Sequence, residues 1–273
     1  MTARVQIGQY AYQCRPRWGF GTPLHPRLAQ ILERGRAGYA RRLTALAELA
    51  PLLAAIPSDA PDDSPEPRWN NPFFTGLDAV ALCGMLTRHA PRLMIEVGSG
   101  NSTRFARHVV AARGLPTRLV SIDPAPRAEI DALCDEVIRA PVEATDPALF
   151  ARLKPGDILL IDSSHRSLEN SDVTALFLDV LPELAPGVIV HVHDVYLPYD
   201  YPPQAEGLMY NEQYLLAALL LGEASWLEPI LPCYFAVKDP RLSPLLDPVW
   251  AAIGTNAFPA PSNSFWLTIK RRR

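Results

Sequence analysis

The 273-residue chain is 48 % hydrophobic and 20 % charged, the composition of a globular protein with enough residues for a large core. Its net charge of −3 excludes the strongly basic surface that nucleic acid or an anionic membrane would favour, so neither is an expected partner. No apolar run reaches the ~20 residues of a membrane span, and the first residues lack the apolar segment of a signal peptide.

The cysteines are widely spaced and form no Cys-x-x-Cys pair, which indicates buried thiols in a reducing compartment. We therefore expect a cytoplasmic protein. The sequence leaves the oligomeric state open, a homo-oligomer included. The four cysteines are Cys14, Cys83, Cys134 and Cys233.

The first predicted elements in chain order are helices. Residues 1–25 carry no assignable pattern, whereas leucines at helical spacing over 26–56 predict an amphipathic helical region. A polar, proline-rich connection follows over 57–68. The sequence thus predicts a helical appendage or lid with its linker over 1–68, and a catalytic domain over 69–273.

Strand and helix patterns alternate along the rest of the chain, and the strand patterns are apolar. Such alternation predicts an α/β fold: a Rossmann-like, doubly wound, mostly parallel seven-stranded sheet with an antiparallel last strand and the N-terminal helical appendage. The predicted strands cover 93–97, 118–122, 136–139, 157–161, 187–193, 230–237 and 264–270, and the predicted helices cover 76–89, 127–133, 146–153, 170–184 and 210–221.

A glycine-rich loop joins the first of these strands to a helix. Its glycines allow a sharp turn and a close approach of the backbone to a ligand, and the helix start presents free N–H groups. The pattern acidic-x-Gly-x-Gly-x-Gly of S-adenosylmethionine (SAM) sites fits, except that serine replaces the last glycine. A nucleotide site and an ordinary strand-to-helix turn are the alternatives. The predicted cofactor-binding residues here are Glu96, Gly98, Ser99, Gly100, Asn101 and Ser102.

Asp123 ends the next predicted strand, about twenty residues beyond the glycine turn. An acidic side chain at this place can accept hydrogen bonds from both hydroxyls of a ribose, which SAM and NAD share. Val142 and Glu143 follow the third predicted strand, where the edge of an adenine would lie. We therefore predict that all three residues bind the cofactor.

Acids and histidines follow two further strands. Asp162-Ser-Ser-His165 ends one strand, and His191-Val-His193-Asp194 ends the next. The carboxyl ends of parallel strands meet at one edge of the sheet, so these side chains should converge there. A histidine can take a proton near neutral pH, and a neutral histidine with carboxylates can hold a divalent ion. The alternatives are carboxylates that cap loops and histidines that are buried and hydrogen-bonded.

These motifs resemble class I SAM-dependent methyltransferases of the Methyltransferase_24 type, over roughly residues 76–270. The group is similar to the metal-dependent macrolide-sugar O-methyltransferases and to cephalosporin-hydroxylase-like proteins, and catechol O-methyltransferase is a more distant relative. The resemblance implies a metal ligand at Asp162, a catalytic base at His165, and metal ligands at His193 and Asp194. His193 stands where those relatives have an acidic residue, a departure that leaves a softer ion than magnesium, or no ion, as alternatives.

The resemblance implies a SAM-dependent methyltransferase, with His165 and Asp162 as its catalytic residues and SAM as its cofactor. The expected acceptor is an oxygen, less readily a nitrogen, of a small molecule, and Tyr196, Tyr199, Asp200 and Tyr201 lie where it would bind. Two alternatives are a metal-dependent hydroxylase-like enzyme on the same fold and a non-catalytic SAM-binding subunit. The sequence does not identify the acceptor.

Overall fold

A computed structural model of the protein describes residues 15–126, 129–254 and 262–271. Within these ranges seven strands form one sheet in the order β3-β2-β1-β4-β5-β7-β6. The predicted α/β architecture is confirmed, including its antiparallel last strand. The strands are β1 (Leu93–Val97), β2 (Arg118–Ile122), β3 (Glu136–Ile138), β4 (Ile158–Ile161), β5 (Ile189–Val192), β6 (Leu227–Pro232) and β7 (Phe265–Ile269).

Helices flank the sheet and precede it in the chain. None of those in the described ranges is long and apolar enough to cross a bilayer. Cys83 and Cys233 are buried free thiols, as expected, Cys134 is partly buried, and Cys14 lies outside the described residues. The helices are α1 (Pro26–Arg34), α2 (Arg36–Leu46), α3 (Ala50–Ala54), α4 (Leu77–His89), α5 (Asn101–Arg113), α6 (Asp172–Ala175), α7 (Glu212–Leu221), α8 (Cys233–Lys238) and α9 (Asp247–Ile253).

The central strands are buried on both faces, which explains their unbroken apolar sequences. β1 lies between β2 and β4, and all of these pairs are parallel, as is β4 with β5. β7 runs antiparallel to both β5 and β6. As a result, β1, β2, β4 and β5 deliver the residues that follow them to the same edge of the sheet.

Several predicted elements have different forms in the structure. The strand predicted over 230–237 ends at Pro232, and its second half is the helix α8, because aromatic and β-branched side chains there pack into the core instead of extending the sheet. The helices predicted over 127–133 and 146–153 are 3-10 turns, Asp131–Leu133 and Pro147–Arg152, with residues 127–128 outside the described ranges. The helix predicted over 170–184 begins as α6, widens into a π-helical turn over Leu176–Val180, and ends in the 3-10 turn Leu181–Glu183, which contains Pro182.

The N-terminal helices pack directly on the sheet domain. Leu46 of α2 lies so close to α4 that a β-carbon on Gly84 would be 2.3 Å from its Cδ2 atom. Trp69 is buried and donates its indole N–H to the carbonyl of Leu53 at 3.3 Å. Arg104 of α5 donates to the carbonyl of Asp62 in the proline-rich connection at 2.7 Å. The division at residue 68 stays a prediction, and the helices share one hydrophobic core with the domain.

Candidate active site

Glu96 lies at the end of β1, beneath the glycine loop. Its two carboxylate oxygens accept hydrogen bonds from the hydroxyls of Ser102 and Thr103 in the first turn of α5. Burial raises the pKa of Glu96 to about 7, although these hydroxyls oppose the shift. Glu96 therefore ties the start of α5 to the strand and shapes the loop from below.

The two glycines of the loop are needed for different reasons. Gly98 has a φ of +81°, and a β-carbon there would lie 1.8 Å from the carbonyl oxygen of Asp162. Gly98 is therefore required for the loop to pack against the end of β4. A β-carbon on Gly100 would meet no atom within 4 Å. Gly100 faces open space, as expected of a loop that cradles a ligand.

Asp123 is held at the end of β2 by the backbone. Its Oδ2 atom accepts a hydrogen bond from the Ser99 N–H and its Oδ1 atom accepts one from the Ala125 N–H, both at 2.8 Å. The hydroxyls of Ser99 and Ser121 pair beneath it at 2.8 Å. Each carboxylate oxygen can accept a further bond, so a fixed, partly exposed Asp123 fits a ribose diol.

The predicted adenine-side residues lie in the 3-10 turn Val142–Ala144, after β3. Val142 is buried, and the Oε2 atom of Glu143 is a buried acceptor without a hydrogen-bond partner in the described part of the chain. Buried acceptors are normally satisfied, so a ligand that donates an N–H fits this position. Asn101 begins α5 and is partly exposed beside Gly100. These features fit a bound SAM, although contact with it stays a prediction.

The predicted acids and histidines do converge at the ends of β4 and β5. His165 Nε2 lies 3.3 Å from Asp162 Oδ1 and 3.4 Å from Asp194 Oδ2. His193 Nδ1 lies 3.3 Å from the same Asp162 oxygen and 3.9 Å from Asp194 Oδ1. The side chains of Asp162 and Asp194 are 26 % and 20 % exposed, against 5 % and 6 % for the histidines. The carboxylates therefore reach open space, with the imidazoles behind them.

Two buried carboxylates that sequence reasoning missed hold the histidines from the far side. Glu212, the first residue of α7, accepts a hydrogen bond from His165 Nδ1 at 2.9 Å. Asp78 of α4 lies 3.5 Å from His193 Nε2 and accepts hydrogen bonds from the Asn263 and Ser264 N–H groups. An acidic residue at the start of an otherwise apolar helix is a signal for both Asp78 and Glu212. Nothing in the sequence, however, pairs these acids with histidines so distant in the chain.

This network determines the charge of the site. Burial opposes protonation of His165, but Asp162, Glu212 and Asp194 outweigh it and raise the pKa of the imidazole to about 10. Asp162 and Asp78 likewise raise the pKa of His193 well above its ordinary value against the effect of burial. For Asp162, burial would raise the pKa, yet the two histidines hold it well below its usual range. Both histidines are therefore cations near neutral pH.

The structure brings together the predicted metal ligands Asp162, His193 and Asp194, and the two carboxylates form ion pairs with the histidine. Among the residues that the structure describes, no group of three or more acids, histidines or cysteines is arranged to hold a metal ion. His165 Nε2 lies between Asp162 and Asp194, so an ion shared by these carboxylates would have to displace the imidazole. Metal binding stays a prediction, because an ion would also have to displace the proton of His193. The proposed reaction below contains no metal step.

His191 has a different environment from His193, although both side chains point to the same side of β5. Its Nε2 atom pairs with the Ser264 hydroxyl at 2.7 Å, and its ring lies 4.7 Å from that of Trp266. Burial, aided by the cationic His193, holds the pKa of His191 well below its ordinary value. His191 is therefore a neutral core residue, one of the alternatives left open by the sequence.

The side chains expected at the acceptor position form an aromatic wall after β5. Tyr196 and Tyr201 are buried with Tyr234 in a cluster separate from the main core. Asp200 is occupied by the N-terminal segment, because its Oδ2 atom accepts hydrogen bonds from the Arg17 and Trp18 N–H groups at 2.6 and 3.0 Å. Asp200 therefore fastens this segment over the wall and is not available to an acceptor.

The strand order, the glycine loop and the acid after β2 fit the arrangement of a class I SAM-dependent methyltransferase. Comparison with known families agrees: the family model described as a methyltransferase domain matches residues 95–195, from β1 to just beyond β5. This stretch contains the glycine loop, Asp123, Asp162, His165, His193 and Asp194. A search of curated proteins returns no match.

Solved structures to which the chain is similar include three SAH-bound methyltransferases. For PaMTH1 of Podospora anserina the identity is 13 % and the TM-score 0.44, with 89 % of this chain and 96 % of that chain covered. An O-methyltransferase from Bacillus cereus gives 15 % and 0.37, with 85 % and 91 % covered. The plantazolicin methyltransferase BpumL gives 14 % and 0.38, with 89 % and 100 % covered.

Proposed function

We propose that the protein transfers the methyl group of SAM to an oxygen of a small molecule. One observation carries this proposal: Gly98 of the glycine loop packs against the backbone of Asp162. Because of this contact, the cofactor loop and the acid–histidine cluster form two walls of one site. A methyl donor on the loop would thus face acid and histidine side chains that can orient and deprotonate an acceptor.

When bound, SAM supplies a methyl group on a positively charged sulfur, which makes the methyl group electrophilic. Asp162 and Asp194 are the exposed members of the cluster, so they accept the hydrogen bond of the acceptor hydroxyl and aim its oxygen at the methyl group. The phenol of Tyr196 accepts a hydrogen bond from Asn263 at 2.8 Å, and Asn263 also donates to Asp194. This pair fixes the orientation of Asp194.

His165 is the proton acceptor in this proposal. It is protonated in the free protein, since its pKa is about 10. Beside a bound sulfonium a second positive charge is unfavourable, so His165 loses its proton more easily in the complex. The acceptor hydroxyl loses its proton to the carboxylate that accepts its hydrogen bond, and that carboxylate passes the proton to Nε2 of the neutral imidazole, the atom that lies between the two carboxylates.

The test is to incubate the protein with SAM carrying a ¹³C-labelled methyl group and a panel of hydroxyl- and amine-bearing small molecules. We expect a product whose labelled carbon has the NMR shift of a methyl ether or ester. A label on nitrogen would contradict the choice of oxygen. SAM binding without transfer to any acceptor would support a binding subunit, and an oxygen-consuming reaction that needs added iron would support the hydroxylase alternative.

A further inference from the structure

The sequence Asn-Glu-Gln-Tyr at 211–214 marks the start of α7, and the proposed reaction gives it no role. In the structure, all four side chains leave the helix toward the loops that follow β4 and β5. Two of them reach the loop of His165, and two reach the loop that carries the aromatic wall. The four residues, here called the bracket, are Asn211, Glu212, Gln213 and Tyr214.

Glu212 is fully buried, and among the described residues its side chain is hydrogen-bonded to His165. One carboxylate oxygen accepts the His165 Nδ1 hydrogen bond at 2.9 Å, whereas Oε1 has no hydrogen-bond partner in the described chain. Burying a carboxylate is unfavourable unless it is paired. If packing alone determined the residue at position 212, it would be apolar. The carboxylate of Glu212 is therefore explained by its effect on the His165 imidazole.

The backbone of the bracket holds the same histidine. The N–H groups of Asn211 and Glu212 donate to the carbonyl oxygen of His165 at 2.9 and 3.2 Å, and the Asn211 side chain accepts from the Ser167 N–H at 2.6 Å. His165 has a φ of +58°, a strained conformation for a residue with a side chain. Such a conformation persists only where the surroundings impose it, and the bracket provides those contacts.

The other two members hold the loop after β5. Gln213 accepts a hydrogen bond from the Tyr196 N–H at 2.8 Å and donates to the carbonyl of Tyr199 at 3.3 Å. The Tyr214 hydroxyl donates to Asp200 Oδ1 at 3.2 Å. One helical turn therefore fixes the spacing between the histidine and the aromatic wall.

We propose that the bracket is the positioning element of the site, and that Glu212 is a positioning residue that orients His165. By accepting the Nδ1 hydrogen bond, Glu212 fixes the ring so that Nε2 is presented to Asp162 and Asp194. Glu212 itself lies behind the ring, away from the acceptor. The kinetic effect of Glu212 rests on the proposed methyl transfer, whereas its orientation of the His165 ring rests on geometry alone.

The kinetic test compares Glu212→Ala and Glu212→Gln with the wild type. Glu223→Gln is the matched control, because Glu223 lies just beyond the other end of α7 and is exposed. We expect Glu212→Ala to lower kcat about 10–100-fold, the usual cost of losing the partner of an active histidine, with an unchanged SAM Kd. Glu212→Gln, whose amide oxygen can still accept from Nδ1, should recover part of kcat.

The orientation has its own readout, which requires no acceptor. In a histidine-labelled sample, assigned with His165→Gln, we expect a strongly downfield Nδ1 proton in the wild type that is absent from Glu212→Ala. A wild-type spectrum without that proton would overturn the orientation, whatever the reaction. A folded, SAM-binding Glu212→Ala protein with kcat within about twofold of wild type would overturn the positioning role, since such partners usually matter tenfold or more.

Discussion

At the residue scale, the two glycines of the cofactor loop give the sharpest contrast in the site. Gly98 is enclosed by the backbone of Asp162, whereas Gly100 borders open space. Packing within the free protein therefore explains why residue 98 is a glycine. A glycine at position 100 is explained only if a ligand occupies the space in front of it, so substitution of Gly100 tests cofactor binding.

We expect Gly100→Val to keep the fold and lose SAM binding, because its branched side chain would occupy the ligand's space. Gly98→Ala should instead destabilise the protein, by several kcal/mol, since its β-carbon collides with a carbonyl and its φ is positive. Thermal unfolding and calorimetric SAM titration on both variants measure the two effects separately. Normal SAM affinity in a folded Gly100→Val protein would place the cofactor elsewhere.

The charge of His165 leads to a second prediction at this scale. His165 is protonated below a pKa of about 10, and the cation disfavours a sulfonium beside it. Binding of SAM should therefore release a proton from His165. Because deprotonation of His165 becomes easier as the pH rises, SAM affinity should rise several-fold between pH 7 and about 9.5. SAH has no sulfonium charge and otherwise differs from SAM only by the methyl group, so it is the control ligand.

Calorimetry across this pH range gives the ratio of SAM to SAH affinity directly. The ratio should rise with pH in the wild type and stay flat in His165→Gln. A ratio that is constant in the wild type would show that His165 does not sense the cofactor's charge, and would remove it as the proton acceptor.

At the element scale, the N-terminal helices and the sheet domain are joined by close packing. α2 rests on α4 at Gly84, and the buried Trp69 joins α3 to the start of the domain. Apolar side chains on these helices belong to the core that covers the sheet. Removing the helices would expose that core to water, at a cost of ~1.5–3 kcal/mol for each large side chain.

A fragment that begins at Arg68 should therefore aggregate or unfold, although the proline-rich connection before it is a natural site for proteolysis. Solubility, circular dichroism and SAM titration of the fragment are the measurements. A soluble fragment that binds SAM with wild-type affinity would establish residue 68 as the boundary of an independent domain.

The elements show how far sequence patterns reach. Apolar runs and the glycine loop predict the parallel strands and their order along the chain, because these signals are local. The edge region was predicted less well: α8 has the β-branched and aromatic composition of a strand, and only its packing makes it helical. Asp78 and Glu212 could not be assigned to the site, since their histidine partners are distant in sequence and meet them only in the folded chain.

At the scale of the whole molecule, distant parts of the chain complete the site. Arg17 and Trp18 fasten to Asp200 near one end, and Asn263 links Asp78, Tyr196 and Asp194 near the other. These contacts are hydrogen bonds from neutral groups, whereas the two histidines provide internal counter-charges for the clustered carboxylates. A divalent ion is the usual alternative source of such charge.

We therefore expect extensive chelation to leave methyl transfer and SAM affinity unchanged. Turnover before and after treatment with a chelator, with elemental analysis of the purified protein, is the measurement. Loss of turnover that one added ion restores, with that ion bound stoichiometrically, would contradict the internal charge balance and support the metal site predicted from sequence.

The most direct test of the central claim is the rate of labelled methyl transfer at saturating SAM in the wild type and in His165→Ala. We expect transfer to an oxygen in the wild type and a rate about 10²–10⁴-fold lower in the variant, the range for loss of a general base, with SAM affinity retained. A wild-type protein that binds SAM but transfers no methyl group, or a variant as fast as the wild type, would contradict it.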